Sequence, residues 1–329
     1  MNERTGRFAK RIALCPTLTG LVRLKPDTTG LASHVCQRML DAWRSCPWTR
    51  SQHFMPELPE VERERRLLLP AMTGARFVRV RLNRPDLRVP FSDRFIERLR
   101  GRTVGNLARR GKYLLASLNS GDTLVMHLGM SGSFRIEPTA TRHAADALDT
   151  RHDHVVFVMS SGQTITFNDP RRFGFMQLLA AGDASSTGVA ALGPEPLSRA
   201  FTAHTLAATA AGRTTSLKSF LLDQKVVAGL GNIYVSEALH LAALSPLRAA
   251  TTLATGTGRP HGSARTLVTA IKAVLRKAVG SRGTSAYRQA RFRVYDREDE
   301  PCDTPRCKGR VQRIVQAGRS TFYCSTCQR

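Results

Sequence analysis

Two groups of residues in this chain combine types and spacing that could do chemistry. The first is Met55-Pro56-Glu57-Leu58-Pro59-Glu60-Val61-Glu62, which reads like the start of a protein although 54 residues precede it. An internal proline nitrogen is an amide with a delocalised lone pair, so it attacks nothing. A proline freed of the preceding methionine is a secondary amine, able to add to an aldehyde-like carbon and form an iminium ion. Pro56 is therefore a candidate nucleophile with an acid, Glu57, beside it; kept internal, the segment is only a helix entry. The second group is Cys302, Cys307, Cys324 and Cys327, spaced Cys-x4-Cys, sixteen residues, Cys-x2-Cys. The alternating runs Val311–Val315 and Thr321–Tyr323, around Ala317-Gly318-Arg319, predict a β-hairpin that brings four thiolates around one structural Zn²⁺. Two disulfides or reduced structural cysteines are the alternatives. Four clustered cysteines in a large basic chain favour a metal and a reducing compartment.

Four further segments have a bland and a functional reading. Gly229-Leu230-Gly231-Asn232 is a tight turn with Asn232 as helix N-cap, or a grip on a backbone phosphate. Asp169-Pro170-Arg171-Arg172-Phe173-Gly174 is a solvated loop, or a ring and a guanidinium that wedge into stacked bases. In Gly129-Met130-Ser131-Gly132, Met130 either packs in the core or is a companion wedge. Arg109-Arg110-Gly111-Lys112-Tyr113 reads by default as a solvated charge cluster, with Lys112 also placed to neutralise a phosphate near Pro56. His127, in an apolar strand, reads first as a satisfied core histidine.

These residues need elements to position them. Glu57 to Met72 is expected to be a helix, with acids and Pro59 in its first turn and Gly74 beyond its end. Arg76–Leu82 alternates as a half-buried strand does. Further strands are expected at Tyr113–Leu118, Thr123–Leu128, Val155–Met159 and Thr164–Phe167, the last two joined at Ser160-Ser161-Gly162. After a small-residue stretch, Ala180 to Pro196, the period becomes helical. Helices are expected at Ser216–Leu222, at Ile233–Ala243 and along the stripe Leu267, Val268, Ile271, Val274, Leu275 and Ala278.

The chain has 329 residues, with 50 Lys and Arg against 25 Asp and Glu, a net charge of +25. That balance favours a polyanion as partner, nucleic acid before a membrane surface. No uninterrupted apolar stretch approaches the roughly 18–20 residues that span a bilayer. Residues 1–54 stand apart, with nine Lys or Arg, three Asp or Glu, Cys15, Cys36 and Cys46, and no sustained period. They are a leader with three readings: an upstream start, a presequence that is removed, or a disordered arm. The first is preferred, which makes Pro56 the expected working terminus.

Together the motifs resemble the formamidopyrimidine-DNA glycosylase/endonuclease VIII family of DNA-repair enzymes. The carriers are Met55-Pro56-Glu57-Leu58-Pro59-Glu60, Arg110-Gly111-Lys112-Tyr113, His127-Leu128-Gly129-Met130-Ser131-Gly132, Asp169-Pro170-Arg171-Arg172-Phe173-Gly174, Gly229-Leu230-Gly231-Asn232-Ile233-Tyr234 and Arg319-Ser320-Thr321-Phe322-Tyr323-Cys324 with its finger. The resemblance implies an α+β multidomain protein. A leading helix and β-sandwich (55–182) are followed by a linker (183–196), an all-α helix–two-turn–helix domain (197–288) and a zinc β-hairpin (289–329). It implies damaged double-stranded DNA as partner, in a cytoplasmic, nucleoid-associated, bacterial-type setting; a monomer is the default. It also implies roles. Pro56 attacks the sugar C1′ of a flipped nucleotide, and Glu57 exchanges protons with the sugar. Lys112, Asn232 and Arg319 hold phosphates, with His127 and Arg172 as weaker candidates. Met130, Arg171 and Phe173 fill the gap in the duplex, and Lys218 matches a basic position near the lesion.

Two branches remain open on sequence. The N-terminal and Arg171-Arg172-Phe173 motifs favour the formamidopyrimidine branch, hence oxidised purines. Only Ser285 through Val294 lie between Thr284 and Tyr295, where Arg291–Tyr295 reads as the next strand; so short a loop resembles the endonuclease VIII branch and its oxidised pyrimidines. A non-catalytic, zinc-containing DNA-binding protein is the rival from another class, should Pro56 stay internal.

Overall fold

The computed structural model describes residues 55–140, 151–181, 183, 188–280 and 292–329. The chain divides into Met1–Phe54 and Met55–Arg329, and every described residue belongs to the second unit. The expectations about residues 1–54, and about most of the Ser285–Val294 loop, lie outside the described residues.

The first helix, α1 (Leu58–Met72), starts where the sequence places it, with Glu57 as N-cap and Pro59 in the first turn. The Glu57 amide donates to the Glu60 carboxylate at 3.0 Å, the backward half of a capping box. Leu58, Val61, Leu68, Ala71 and Met72 are buried along one stripe, on the 3.6-residue period that lays a helix on a sheet. The chain then forms β1 (Phe77–Leu82), a short α2 (Phe95–Leu99), β2 (Val104–Arg110), β3 (Tyr113–Leu118), β4 (Thr123–His127), β5 (Ser133–Pro138), β6 (Asp153–Met159), β7 (Gln163–Asn168) and β8 (Phe175–Leu179). These eight strands make two four-stranded sheets, ordered β1-β6-β7-β5 and β2-β3-β4-β8. Inward residues of both sheets share one core. Phe77, Val80, Phe157 and Ile165 come from the first sheet, Leu107, Leu114, Met126 and Leu178 from the second, and Leu68 and Met72 from α1. That is the expected β-sandwich with a leading helix. The strand expectations hold to within two residues at each end.

One polar residue of α1 is held beneath the sandwich. The Glu64 carboxylate accepts the Phe134 amide at 3.1 Å, and burial pushes its pKa up to about 7. A raised folded pKa stabilises the protein fully below the unfolded value of 4.5 and ceases to as pH rises through about 7. Glu64→Gln keeps an acceptor for Phe134 and removes the charge. Thermal melts should therefore show the variant matching the parent below pH 4 and melting higher at pH 8.5. Equal melting at both would mean that burial does not penalise this carboxylate.

The second half is helical: α3 (Ala203–Ala210), α4 (Leu217–Leu222), α5 (Asn232–Leu241), a 3-10 turn (Ala250–Leu253) and α6 (Gly262–Gly280). Ala264, Leu267, Val268, Ile271 and Leu275 form the buried stripe of α6. The α6 helix packs on α5 and reaches α1, where Arg66 Nη1 donates to the Val279 carbonyl at 2.9 Å. The finger hairpin follows as β9 (Val311–Gln316) and β10 (Arg319–Cys324), paired Arg319 to Gln316 through Cys324 to Val311.

Two expectations are corrected. Residues 292–295 do not form a strand. The backbone turns there because the amides of Arg293, Val294 and Tyr295 all converge on the buried Glu237 carboxylate, at 2.8, 2.9 and 3.0 Å. An alternating pattern cannot make a strand where a carboxylate on another helix captures the amides that would enter the ladder. Nor is Arg109-Arg110 a solvated cluster. Both guanidiniums are partly buried against the Gly193-Pro194-Glu195-Pro196 linker. Arg109 pairs with Glu195 at 2.8 Å and Glu62 at 3.2 Å. Arg110 donates to the Leu192 and Gly193 carbonyls, and the Gly111 amide to Glu195.

Candidate active site and nucleic-acid interface

The site is assembled where α1 meets α5. Glu57, at the start of α1, is 2 % exposed. Its carboxylate accepts the Ile233 amide at 2.9 Å and the Tyr234 amide at 3.3 Å, in the first turn of α5. Those amides have no partner within their own helix, and the positive end of a helix dipole favours a carboxylate there. Burial nevertheless dominates. The Glu57 pKa is pushed up to about 7 by desolvation, opposed by the Lys112 charge and raised further by Glu60. A second contact reinforces the first: Tyr234 Oη donates to Glu60 at 2.7 Å. Pro56, half-buried, directly precedes Glu57.

Gly229 and Gly231 make the approach possible. A Cβ on Gly231 would lie 2.3 Å from Glu57 Cδ, and one on Gly229 would lie 2.9 Å from Leu58 Cβ. Gly229 has φ +85°, a left-handed conformation that disfavours other residues. Its carbonyl accepts the Leu58 amide at 3.0 Å. The N-cap of α5 is Gly231, not the expected Asn232. Asn232 is the first residue of the helix and its side chain faces the finger hairpin. Its Nδ2 donates to the Ser320 carbonyl at 2.9 Å and faces Tyr295 Oη at 3.4 Å. The side-chain cap fails because the buried Glu57 carboxylate already occupies the amides that Asn232 would have capped.

Cations surround the carboxylates. Lys112, half-buried in the two-residue turn between β2 and β3, has its pKa lowered by burial; Glu57 opposes this and the Arg319 charge adds to it. Arg319 is exposed at the start of β10. Like charges placed this close form a field that an anion would relieve. Lys218 lies within reach of the Glu57 and Arg319 charges. It is completely buried, with Nζ donating to the Ser320 carbonyl at 2.8 Å and to Thr321 Oγ1. Burial, then Arg319, lowers its pKa to about 8. Those two bonds tie α4 to the first residues of β10.

The remaining candidates lie on one rim of the sandwich. His127 stacks on Phe175 at 5.4 Å, and its Nδ1 accepts the Gly129 amide at 3.0 Å. Burial first, then Lys112 and Arg88, lowers its pKa to about 4, so the ring is neutral with its proton on Nε2. The loops carrying Met130 and Arg171-Arg172-Phe173 are joined by the buried Asp169. One carboxylate oxygen accepts from Ser131 Oγ and the other from the Gly174 amide at 2.7 Å. Ser131 Oγ in turn accepts the Arg171 amide at 3.0 Å. Gly129 presses on the Phe173 backbone, 2.2 Å from where its Cβ would be. Phe173 is 40 % exposed, Arg171 sits over its ring at 5.0 Å, Arg172 is exposed and Met130 is half-buried. The structure thus brings the two loops into one ridge.

The four finger cysteines converge, all Sγ atoms within 4.8 Å of one another. Cys302–Cys327 and Cys307–Cys324 are each 3.7 Å apart. Zinc–thiolate bonds of about 2.3 Å set the edge of a tetrahedral site at about 3.8 Å, so the quartet fits Zn²⁺. The amides of Thr304 and Gly309 point at Cys302 Sγ and Cys307 Sγ at 3.4 Å, as donors to thiolates do. The four cysteines expected to hold the metal are the ones the fold brings together.

Sequence reasoning missed Glu60, Tyr234, Asp169, Glu195 and Glu237. Glu60 had a local signal, an acid three residues after the N-cap. Glu195 was an acid between two prolines at the end of the linker, with a basic turn elsewhere to pair with. The others carry no signal without the fold.

Comparison with known proteins agrees with this geometry. Residues 55–176 match the model of the formamidopyrimidine-DNA glycosylase N-terminal domain, 192–289 the helix–two-turn–helix domain of the same enzyme, and 299–329 the zinc finger it shares with isoleucyl-tRNA synthetase. A formamidopyrimidine-DNA glycosylase from Azorhizobium caulinodans is 55% identical over 294 residues, with 84% of this chain covering all of that protein. One from Rhodopseudomonas palustris is 56% identical over 293 residues, with the same coverage. Among solved structures, the Lactococcus lactis enzyme bound non-covalently to DNA with an abasic site superposes with a TM-score of 0.72 at 30% identity. That alignment covers 83% of this chain and 99% of the other. The Thermus thermophilus protein gives 0.68 at 39% identity, covering 83% and 98%. Domain architecture, identity and fold agree: the chain belongs to the formamidopyrimidine-DNA glycosylase family.

Proposed function

We propose that this protein removes oxidised purines from duplex DNA and cuts the strand at the abasic site, with the Pro56 nitrogen, once free, as nucleophile. The observation that carries the reading is the Glu57 carboxyl, buried against the first turn of α5 beside Pro56 and raised to about 7. A group with that pKa can both give and take a proton near neutral pH. Solved relatives hold DNA containing a formamidopyrimidine, carbocyclic 8-oxoguanine or an oxidised pyrimidine, and support for the purine branch comes from the formamidopyrimidine-DNA glycosylases 55% and 56% identical to this chain.

The reaction is written on this chain's residues. The Pro56 lone pair bonds to C1′ of the flipped nucleotide as the glycosidic bond breaks, and the base departs with that electron pair and a proton. Protonation of O4′ opens the sugar and leaves an iminium between Pro56 and C1′. Loss of a C2′ proton expels the 3′ phosphate, and a second elimination expels the 5′ phosphate; water then releases the sugar fragment. Glu57 moves protons on the sugar throughout. Lys112, Asn232 and Arg319 hold the phosphates, aided by neutral His127 and by Arg172. Met130, Arg171 and Phe173 occupy the gap, offsetting part of the few kcal/mol that unstacking costs. Zn²⁺ held by Cys302, Cys307, Cys324 and Cys327 supplies structure to the hairpin that carries Arg319. Among the described residues no helix is long and apolar enough to cross a membrane. We place the activity in the cytoplasm, on the nucleoid.

The mechanism needs an amine, and with residues 1–55 attached Pro56 is an amide. Borohydride reduction on duplex DNA with an abasic site tests this. Protein beginning at Pro56 should be trapped covalently, and protein extended or acetylated ahead of Pro56 should not. Trapping of the extended form overturns the assignment of the nucleophile. Salt-sensitive binding with no trapping by either form would point to a non-catalytic DNA-binding protein.

A further inference from the structure

The α5 helix grips Glu57 with its first turn, and its last turn carries a side chain for which the reaction has no use. His240 is 3 % exposed. Its Nε2 lies 3.4 Å from Cys302 Sγ, 3.2 Å from Thr304 Oγ1 and 3.9 Å from Cys327 Sγ. Its Nδ1 is buried and has no partner among the described residues. A neutral imidazole carries one proton, and an orphaned buried N–H is costlier and rarer than an orphaned acceptor. The proton therefore belongs on Nε2, where sulfur and hydroxyl acceptors surround it, and the bare lone pair on Nδ1. A thiolate bound to a dication still carries negative charge and accepts such a hydrogen.

We propose that His240 is a positioning residue of the zinc centre. Its Nε2–H donates to the Cys302 thiolate, with Thr304 Oγ1 sharing the donor, and so ties the metal site to the helix that holds Glu57. The tether is short: Ile233, which binds Glu57, and His240 are seven residues apart on one helix, about 10 Å at 1.5 Å per residue. The same helix holds the 293–295 turn through Glu237 and the β10 backbone through Asn232. Loss of the donor should loosen the metal without removing a ligand.

The test uses the zinc-loaded full-length protein, His240→Phe, which fills the space without a donor, and His240→Gln, whose amide reaches the Nε2 position. Zinc transfer to a chromophoric chelator should be about tenfold faster or more in His240→Phe, the low end of what outer-shell partners are worth. It should stay within about twofold of the parent in His240→Gln. In cobalt-substituted protein the thiolate-to-metal charge-transfer band should move to lower energy in His240→Phe alone, since a sulfur without its hydrogen bond donates more readily. Should His240→Phe fail to fold, His240→Asn, whose amide stops short of Cys302, carries the same contrast. Parent-like zinc release and an unmoved band in the donorless variant overturn the proposal, and so does failure of His240→Gln to restore both.

Discussion

Replacing Glu57 with Gln in protein that begins at Pro56 should slow single-turnover strand cleavage by about 10²–10⁴-fold, the usual worth of a positioned acid–base group. Duplex affinity should change little, because Glu57 is buried and Gln keeps an oxygen for the closer Ile233 amide, giving up only the longer bond from Tyr234. The parent rate should show a pH inflection from Glu57, whose pKa burial raises, and the variant should lack it. Stability should move the other way. The folded pKa of Glu57 is raised, so its contribution is complete below 4.5 and is lost as pH rises through about 7. A rise from 4.5 to about 7 corresponds to roughly 3 kcal/mol at most, at about 1.4 kcal/mol per unit. Glu57→Gln should therefore unfold at higher denaturant concentration than the parent at pH 8.5, and at about the same concentration at pH 4.5. Loss of activity without this alkaline gain would mean that Glu57 titrates lower than its burial implies. A rate within threefold of the parent would remove it from the reaction.

The second large effect is expected at a residue with no side chain. Gly231→Ala would put a Cβ 2.3 Å from Glu57 Cδ and 2.4 Å from Oε1, a separation no real pair of atoms tolerates. Either the carboxyl moves or the start of α5 does, and both break the Ile233 hydrogen bond. A displacement near 1 Å at a reacting group costs on the order of 10²-fold in rate. Forced overpacking costs about 1–3 kcal/mol of stability. The loss should fall on kcat rather than KM, since phosphate-facing groups such as Arg319 are untouched. Gly262→Ala is the matched control. It opens α6 with nothing within 4 Å of its Cβ, and alanine there should be neutral or stabilising by up to about 1 kcal/mol. Unimpaired turnover in Gly231→Ala would show that the contact between α5 and Glu57 can relax at no cost to the reaction.

The extent to which the sequence foretold this arrangement differs residue by residue. Local spacing carried the zinc quartet, because Cys-x4-Cys and Cys-x2-Cys at the ends of a short hairpin leave few ways to place four sulfurs. It carried α1 and the strands, because periods of 3.6 and 2 are written in neighbouring residues. It carried Pro56-Glu57 as a pair, since their chemistry follows from adjacency. It failed at Arg291–Tyr295, where alternation suggested a strand and the distant Glu237 made a turn. It gave no sign that the Lys218 amine would be bonded to the Ser320 carbonyl and Thr321 at the start of β10.

The sequence by itself thus determined which groups exist and which short elements bear them. The tertiary structure alone decided what those groups meet. Glu57 finds its partners 176 and 177 residues along the chain, and Asn232 finds Ser320 at 88. Periodicity states which face of an element is buried, but not which amide or carboxylate waits on the opposing surface. That pairing, with the desolvation that raises Glu57 and lowers Lys112, arises only when two separately patterned halves close on each other.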